Sequence, residues 1–167
     1  MTRILTRSQV EGLLTIREVI DAVELAHADL TKQQAIQPAP STLSFDPSDS
    51  AVLPMAARAK RQGLSVVKLL SDIPGNAARG LPVQRSVIVL VSEETGACEA
   101  IIDGRIPTRQ RTAAASAVAS RHLARPDSRV LGLVGAGNLA FEHVGAIAAA
   151  CWSGRGPKRP SPASSSA

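Results

Sequence analysis

A glycine turn, Gly135-Ala136-Gly137-Asn138-Leu139-Ala140, constrains this chain more than any other feature. An apolar run, Val130 to Val134, leads into it, and an Ala-rich run, Leu139 to Ala150, follows. That is the strand, turn and helix setting a dinucleotide site requires. Gly135 permits the tight turn, Gly137 lets a pyrophosphate approach the backbone, and Ala140 lets the helix pack on the strand. The same residues also read as a strand-to-helix turn with no ligand. Such a turn ordinarily opens a domain of roughly a hundred residues or more, yet only about thirty residues follow it here. The acidic side chain expected about twenty positions on, for the ribose hydroxyls, has no counterpart. Glu142 is the last carboxylate side chain, and Lys158 and Arg159 stand where the acid should fall.

Upstream of the turn the chain reads as a helix and then a sheet. Thr15 and Glu18 have capping-box spacing, and Ile16, Val19, Ile20, Val23, Ala26 and Leu30 recur at helical intervals, which predicts a helix over 16–33 with His27 in a structural role on or beside its core face. Pro38, Pro40 and Pro47 break that pattern. Strands are expected over 51–57, 64–70, 86–91 and 97–102, the last two joined through Glu93-Glu94-Thr95-Gly96. Thr108 is read as the cap of a thin, alanine-rich helix over 109–124, ended by Pro126, and residues 129–134 as a short strand. From Cys151 onward there is no periodicity and little apolar content, so residues 151–167 are expected to be disordered.

Composition removes several classes of function. Of 167 residues 44% are apolar, enough for one core and part of a second domain. The net charge of +5 is largely an effect of Arg155, Lys158 and Arg159; the first 150 residues carry 16 basic and 14 acidic side chains. With two Phe, one Trp and no Tyr, and no clustered basic face, a nucleic-acid partner is not expected. Cys98 and Cys151 lie far apart, outside any metal-ligand or disulfide pattern. No run has the length of a signal peptide core or a membrane span, so no membrane partner is expected and a reducing cytoplasm is the default.

Two further positions carry chemistry. A capped helix start offers unpaired backbone amides, and Arg111, three residues after Thr108, can reach the same space, which together suit a carboxylate or phosphate. An arginine on a solvated first turn is the equal alternative. Lys68 interrupts the apolar run Ser65-Val66-Val67-Lys68-Leu69-Leu70. It is either edge-facing and solvated or buried beside an anionic ligand that can tune its pKa.

Taken as a set, Lys68, Gly80-Leu81-Pro82, Thr95-Gly96, Asp103-Gly104, Thr108-x-x-Arg111-Thr112-Ala113-Ala114, Leu123-Ala124-Arg125-Pro126-Asp127-Ser128 and Gly135-Ala136-Gly137 resemble the ornithine cyclodeaminase/mu-crystallin family over about residues 1–150. The resemblance implies NAD-dependent chemistry on a small amino acid or imine, with NADP as the alternative cofactor. In the cyclodeaminase version L-ornithine becomes L-proline with loss of ammonia; relatives act as imine reductases, amino-acid dehydrogenases or binding proteins. It further implies a homodimer, substrate contacts and catalytic assistance from Lys68, a substrate-carboxylate contact from Arg111, and cofactor contacts from Thr112, Gly135, Ala136, Gly137, Asn138 and Leu139.

Departures accompany it. An arginine of the family's proline-containing loop is replaced near Pro40-Ser41-Thr42, Pro107 replaces an aliphatic residue, and the family's catalytic aspartate has no counterpart. The expected fold is α/β. Residues 1–125 form a substrate-binding and dimerisation domain of helix and antiparallel sheet, and 126–150 the first β-α unit of an incomplete Rossmann-like domain. A frameshifted or truncated reading frame would explain the tail. The chain is expected to be inactive by itself, or to serve as a non-catalytic dimerisation or small-molecule-binding remnant.

Overall fold

The computed structural model describes residues 1–45 and 48–151. Seven strands form one mixed sheet: β1 (Arg3–Leu5), β2 (Ala35–Ile36), β3 (Leu43–Phe45), β4 (Ser50–Ala59), β5 (Leu64–Asp72), β6 (Gln84–Ser92) and β7 (Cys98–Asp103). Their order is β1-β7-β6-β5-β4-β2, with β3 also on β4. Only the β1–β7 pair is parallel; the others are antiparallel. The helices are α1 (Arg7–Glu11), α2 (Ile16–Thr31), α3 (Arg105–Leu123) and α4 (Asn138–Cys151).

The capping box forms as its spacing predicts: the Thr15 backbone N–H donates to Glu18 at 2.9 Å, and the Glu18 N–H returns to the Thr15 hydroxyl at 3.4 Å. Val19 and Ile20 of α2 pack on Ala113, Ala114, Ala117 and Val118 of α3 and on Ala146 and Ala150 of α4. The alanines let three helix backbones approach closely, so this core is built from small side chains around Ile20, which is 1% exposed. His27 is exposed rather than seated on that core, because the buried stripe runs through Val19 and Ile20 and away from it.

Pro54 sits inside β4, where proline is normally excluded because it cannot donate to the ladder. Topology removes the conflict. On the edge side of β4, β3 pairs with residues 50–52 and β2 with 58–59, so Pro54 falls in the gap between two short partners.

Three expectations change. The helix expected to start after Thr108 begins at Arg105, with Gly104 as its cap. Pro107 thereby occupies the first turn, where a missing N–H costs nothing. Residues 129–134 form no strand, since no described strand lies beside them to complete a ladder. Cys151 closes α4 rather than opening the tail; the rest of the expected disordered tail, 152–167, lies outside the described residues.

Candidate functional site

Strand pairing places Lys68 between Met55 on β4 and Ile88 on β6, in the row that continues to Ile102 on β7. Side chains alternate across a strand, so Leu64, Val66, Lys68 and Leu70 share one sheet face, and Val67 and Leu69 point the other way. The first face is half-buried, whereas Val67 and Leu69 are 43% and 40% exposed. The first face is also the one α3 approaches. A Cβ on Gly104 would lie 2.4 Å from Ser86 Oγ, and Ser86 Oγ lies 3.1 Å from the Thr108 hydroxyl. Close approach at Gly104 therefore sets the start of α3 against β6.

Thr108 is consequently not a cap offering free amides. Its N–H donates to the Gly104 carbonyl at 2.9 Å and its hydroxyl engages Ser86. Arg111, one turn further along α3, is exposed. The charge on Arg111 reaches Lys68: burial on the sheet, and then repulsion from Arg111, hold the Lys68 ammonium below its ordinary pKa of 10.5. A carboxylate placed near both cations would offset both effects.

Sequence reasoning passed over Gln110 and Arg109. Gln110 Oε1 and Arg109 Nε are buried without hydrogen-bond partners, on either side of which chemistry-bearing side chains of α3 lie. Buried polar atoms of this kind are costly unless satisfied. Nothing in the local sequence separates them from solvated helix residues.

The other named residues lie on α3 and at the start of α4. Thr112 donates its hydroxyl to the Thr108 carbonyl at 2.7 Å, within α3. Gly135, Ala136, Gly137, Asn138 and Leu139 are all exposed. Gly135 has φ +95°, a conformation that strains any residue with a side chain, and no heavy atom beyond the adjoining residues lies within 4 Å of where a Gly137 Cβ would stand. Asn138 opens α4, whose first turn carries no acidic side chain. An open glycine backbone at an uncrowded helix start fits a diphosphate. Two contacts fix α4 to α3: Ser116 Oγ lies 3.0 Å from His143 Nε2, and Arg109 lies 3.7 Å from Glu142. They hold the glycine turn to the same helical layer as Arg111 and Thr112. Among the described residues no helix is long and apolar enough to cross a membrane.

The chain is similar to known proteins in sequence and in fold. The family model described as "Ornithine cyclodeaminase/mu-crystallin family" matches residues 1–153. An alanine dehydrogenase of Archaeoglobus fulgidus is 34% identical over 146 residues, which are 87% of this chain and 44% of that protein. A Delta(1)-pyrroline-2-carboxylate reductase of Paracoccus denitrificans is 42% identical over 82 residues, 49% of this chain and 26% of the relative. The Thermococcus litoralis Delta(1)-pyrroline-2-carboxylate reductase, solved in complex with NADH and L-proline, superposes with a TM-score of 0.85 at 34% identity, covering 89% of this chain and 46% of that one. The chain thus spans less than half the length of these relatives. By the match of that family model over residues 1–153, the chain belongs to the ornithine cyclodeaminase/mu-crystallin family.

Proposed function

We propose that residues 1–125 form the substrate-binding and dimerisation domain, and 126–150 the first β-α unit of a Rossmann-like domain, of an NAD-dependent enzyme that acts at the Cα–N bond of a small α-amino or α-imino acid. Alanine dehydrogenase, pyrroline-2-carboxylate reductase and lysine cyclodeaminase, the names carried by relatives, share that substrate class. Conversion of L-ornithine to L-proline with release of ammonia is one member of it. The observation that carries the reading is that Lys68 is half-buried and close enough to Arg111 for that charge to lower its pKa, with neither cation in an ion pair among the described residues.

Arg111 would take the substrate carboxylate through its planar fork. Lys68, held below its ordinary pKa, would give or receive a proton at the substrate nitrogen or steady the carboxylate. Gly135, Ala136, Gly137, Asn138 and Leu139 would hold the diphosphate of NAD, with Thr112 beside it; NADP is the alternative. Bound NAD would accept hydride from an amino acid or, reduced, supply it to an imine. No described carboxylate lies close enough to Lys68 to raise its pKa. We therefore expect binding without appreciable turnover from this chain by itself.

The sheet face opposite Lys68 favours self-association. Ile4, Val67, Leu69, Val87 and Ile101 lie on it at 70%, 43%, 40%, 36% and 36% exposure, and a contiguous apolar face of this kind marks an interface. A related archaeal alanine dehydrogenase was solved as a dimer with bound NAD. A homodimer built on this face is also what a non-catalytic binding remnant would retain.

Calorimetric titration of the 167-residue chain with L-alanine, L-proline and L-ornithine, each with NADH present, tests the reading. Binding should be lost in Arg111→Gln and weakened in Lys68→Met, with unchanged circular dichroism. Undiminished affinity in Arg111→Gln would refute it, and proline formation from ornithine by this chain would refute the expected inactivity.

A further inference from the structure

The apolar sheet face opposite Lys68 differs in charge from one end to the other. Where β6 begins and β7 ends, Arg85 and Asp103 stand on this face, and Arg7 and Arg105 join them as the first residues of α1 and α3. Three guanidiniums against one carboxylate leave that end positive. At the far end Arg58 and Glu93 neutralise each other at 2.7 Å. Glu99 is exposed there, at the bulge that shifts the β6–β7 register, and among the described residues it forms no ion pair. Alternation from Ala100, which pairs with Leu90 on the Lys68 face, puts Glu99 on the apolar face. Arg3, its neighbour on β1, points the other way, because Arg3 pairs with Ala100 while Ile4 pairs with Ile101. Just beyond the strands, Lys60 before β5 and Glu94 after β6 offset one another. The face is thus an apolar middle between a positive end and a negative one.

That polarity selects how a second copy can sit on it. Twisted sheets that stack in the aligned mode keep their strands within about 30° of each other, and two identical chains are related by a two-fold axis. For aligned strands the axis between the sheets runs either along the strands or across them. An axis along the strands would set the arginine end of one copy on the arginine end of the other, a juxtaposition of like charge that opposes association. An axis across the strands sets the arginine end on the partner's Glu99 end, and does so twice. The recess over Leu69 and Val87, between the arginines, then faces the partner's bulge.

We infer that this chain pairs with a second copy through the apolar face with strands running antiparallel across the interface, Arg85 and Arg105 of each protomer meeting Glu99 of the other. The inference rests on the homodimer reading above and adds to it the axis and the charges that select it. Sedimentation equilibrium of the 167-residue chain at low and at high sodium chloride tests both. Attraction between opposite ends makes the dimer weaken as salt rises, whereas facing like ends would make it tighten. Arg85→Glu and Glu99→Arg should each raise the dimer dissociation constant about tenfold or more, because the two-fold axis makes every substitution count twice. The double variant Arg85→Glu/Glu99→Arg should return it close to the parent value. Tighter association of Arg85→Glu, or no recovery in the double variant, would overturn the axis while leaving a dimer. A monomer at every concentration would overturn the homodimer reading itself, and this inference with it. Each variant's thermal midpoint, read at a dilution where the chains are monomeric, separates loss of the contact from loss of the fold.

Discussion

Gly104→Ala isolates the contact that seats α3 on the sheet. Gly104 has φ −83° and ψ 0°, which any residue adopts, so its backbone makes no demand for glycine. By itself, an alanine there would stabilise the chain by about 0.4–1 kcal/mol through the unfolded state. Against that stand contacts of 2.4 Å to Ser86 Oγ, 3.0 Å to Ser86 Cβ and 3.1 Å to the Ser86 carbonyl carbon. Ser86 Oγ could rotate away only by giving up its 3.1 Å contact with Thr108, and the strand backbone behind it cannot rotate at all. Overpacking of this kind costs about 1–3 kcal/mol. The clash wins, leaving a net loss of about 1–2 kcal/mol, which for a chain of this size lowers the thermal midpoint by roughly 2–8 °C. Circular dichroism melts of Gly104→Ala, Ser86→Gly and the double variant measure it. The double variant should recover most of the loss relative to Ser86→Gly, giving a non-additive cycle. A midpoint for Gly104→Ala at or above that of the parent, or strict additivity, would refute the reasoning.

Three other outcomes are expected. Ile20→Ala removes the largest fully buried side chain from the three-helix core, and urea unfolding should show a loss of about 2–5 kcal/mol. Lys68 has a depressed pKa in the fold, so its contribution to stability is fully present above the ordinary value of 10.5 and is lost as pH falls through the depressed value. Lys68→Met should therefore raise the thermal midpoint at pH 7, and the gain should shrink above pH 10.5. Glu24 links α2 to α3, meeting His122 and Arg121 at 2.5 Å each, and the His122 hydrogen bond is foremost in holding its carboxyl below 4.5. Its stabilisation is present above pH 4.5 and is lost as pH falls through the lowered value. A melt series from pH 6 to pH 3 should fall less steeply in Glu24→Gln than in the parent.

What was legible beforehand is of one kind. The Thr15–Glu18 box, the turn before β7 and the positive-φ Gly135 are each decided within a few residues, where backbone hydrogen bonds and φ preferences act. The start of α3 follows the same rule in reverse: Thr108 has the local chemistry of a cap, but the Gly104–Ser86 approach brings four more residues, Arg105 to Thr108, into the helix and turns the threonine toward the sheet. The candidate site was legible as residue types and not as a place. Lys68 alone left open a solvated edge and a covered cleft.

Sequence by itself determined where the chain turns, which segments carry helical or alternating periodicity, and which positions bear unusual charge, because these depend on near neighbours along the backbone. Tertiary structure alone decided that Lys68 faces α3 rather than the open apolar side, that Arg111 lies close enough to depress its pKa, that Pro54 falls in a gap between edge partners, and that 129–134 pairs with nothing described. Each of these is set by which face of a strand becomes covered and by which strand lies beside it. Such choices belong to packing between distant segments, and no local pattern records them.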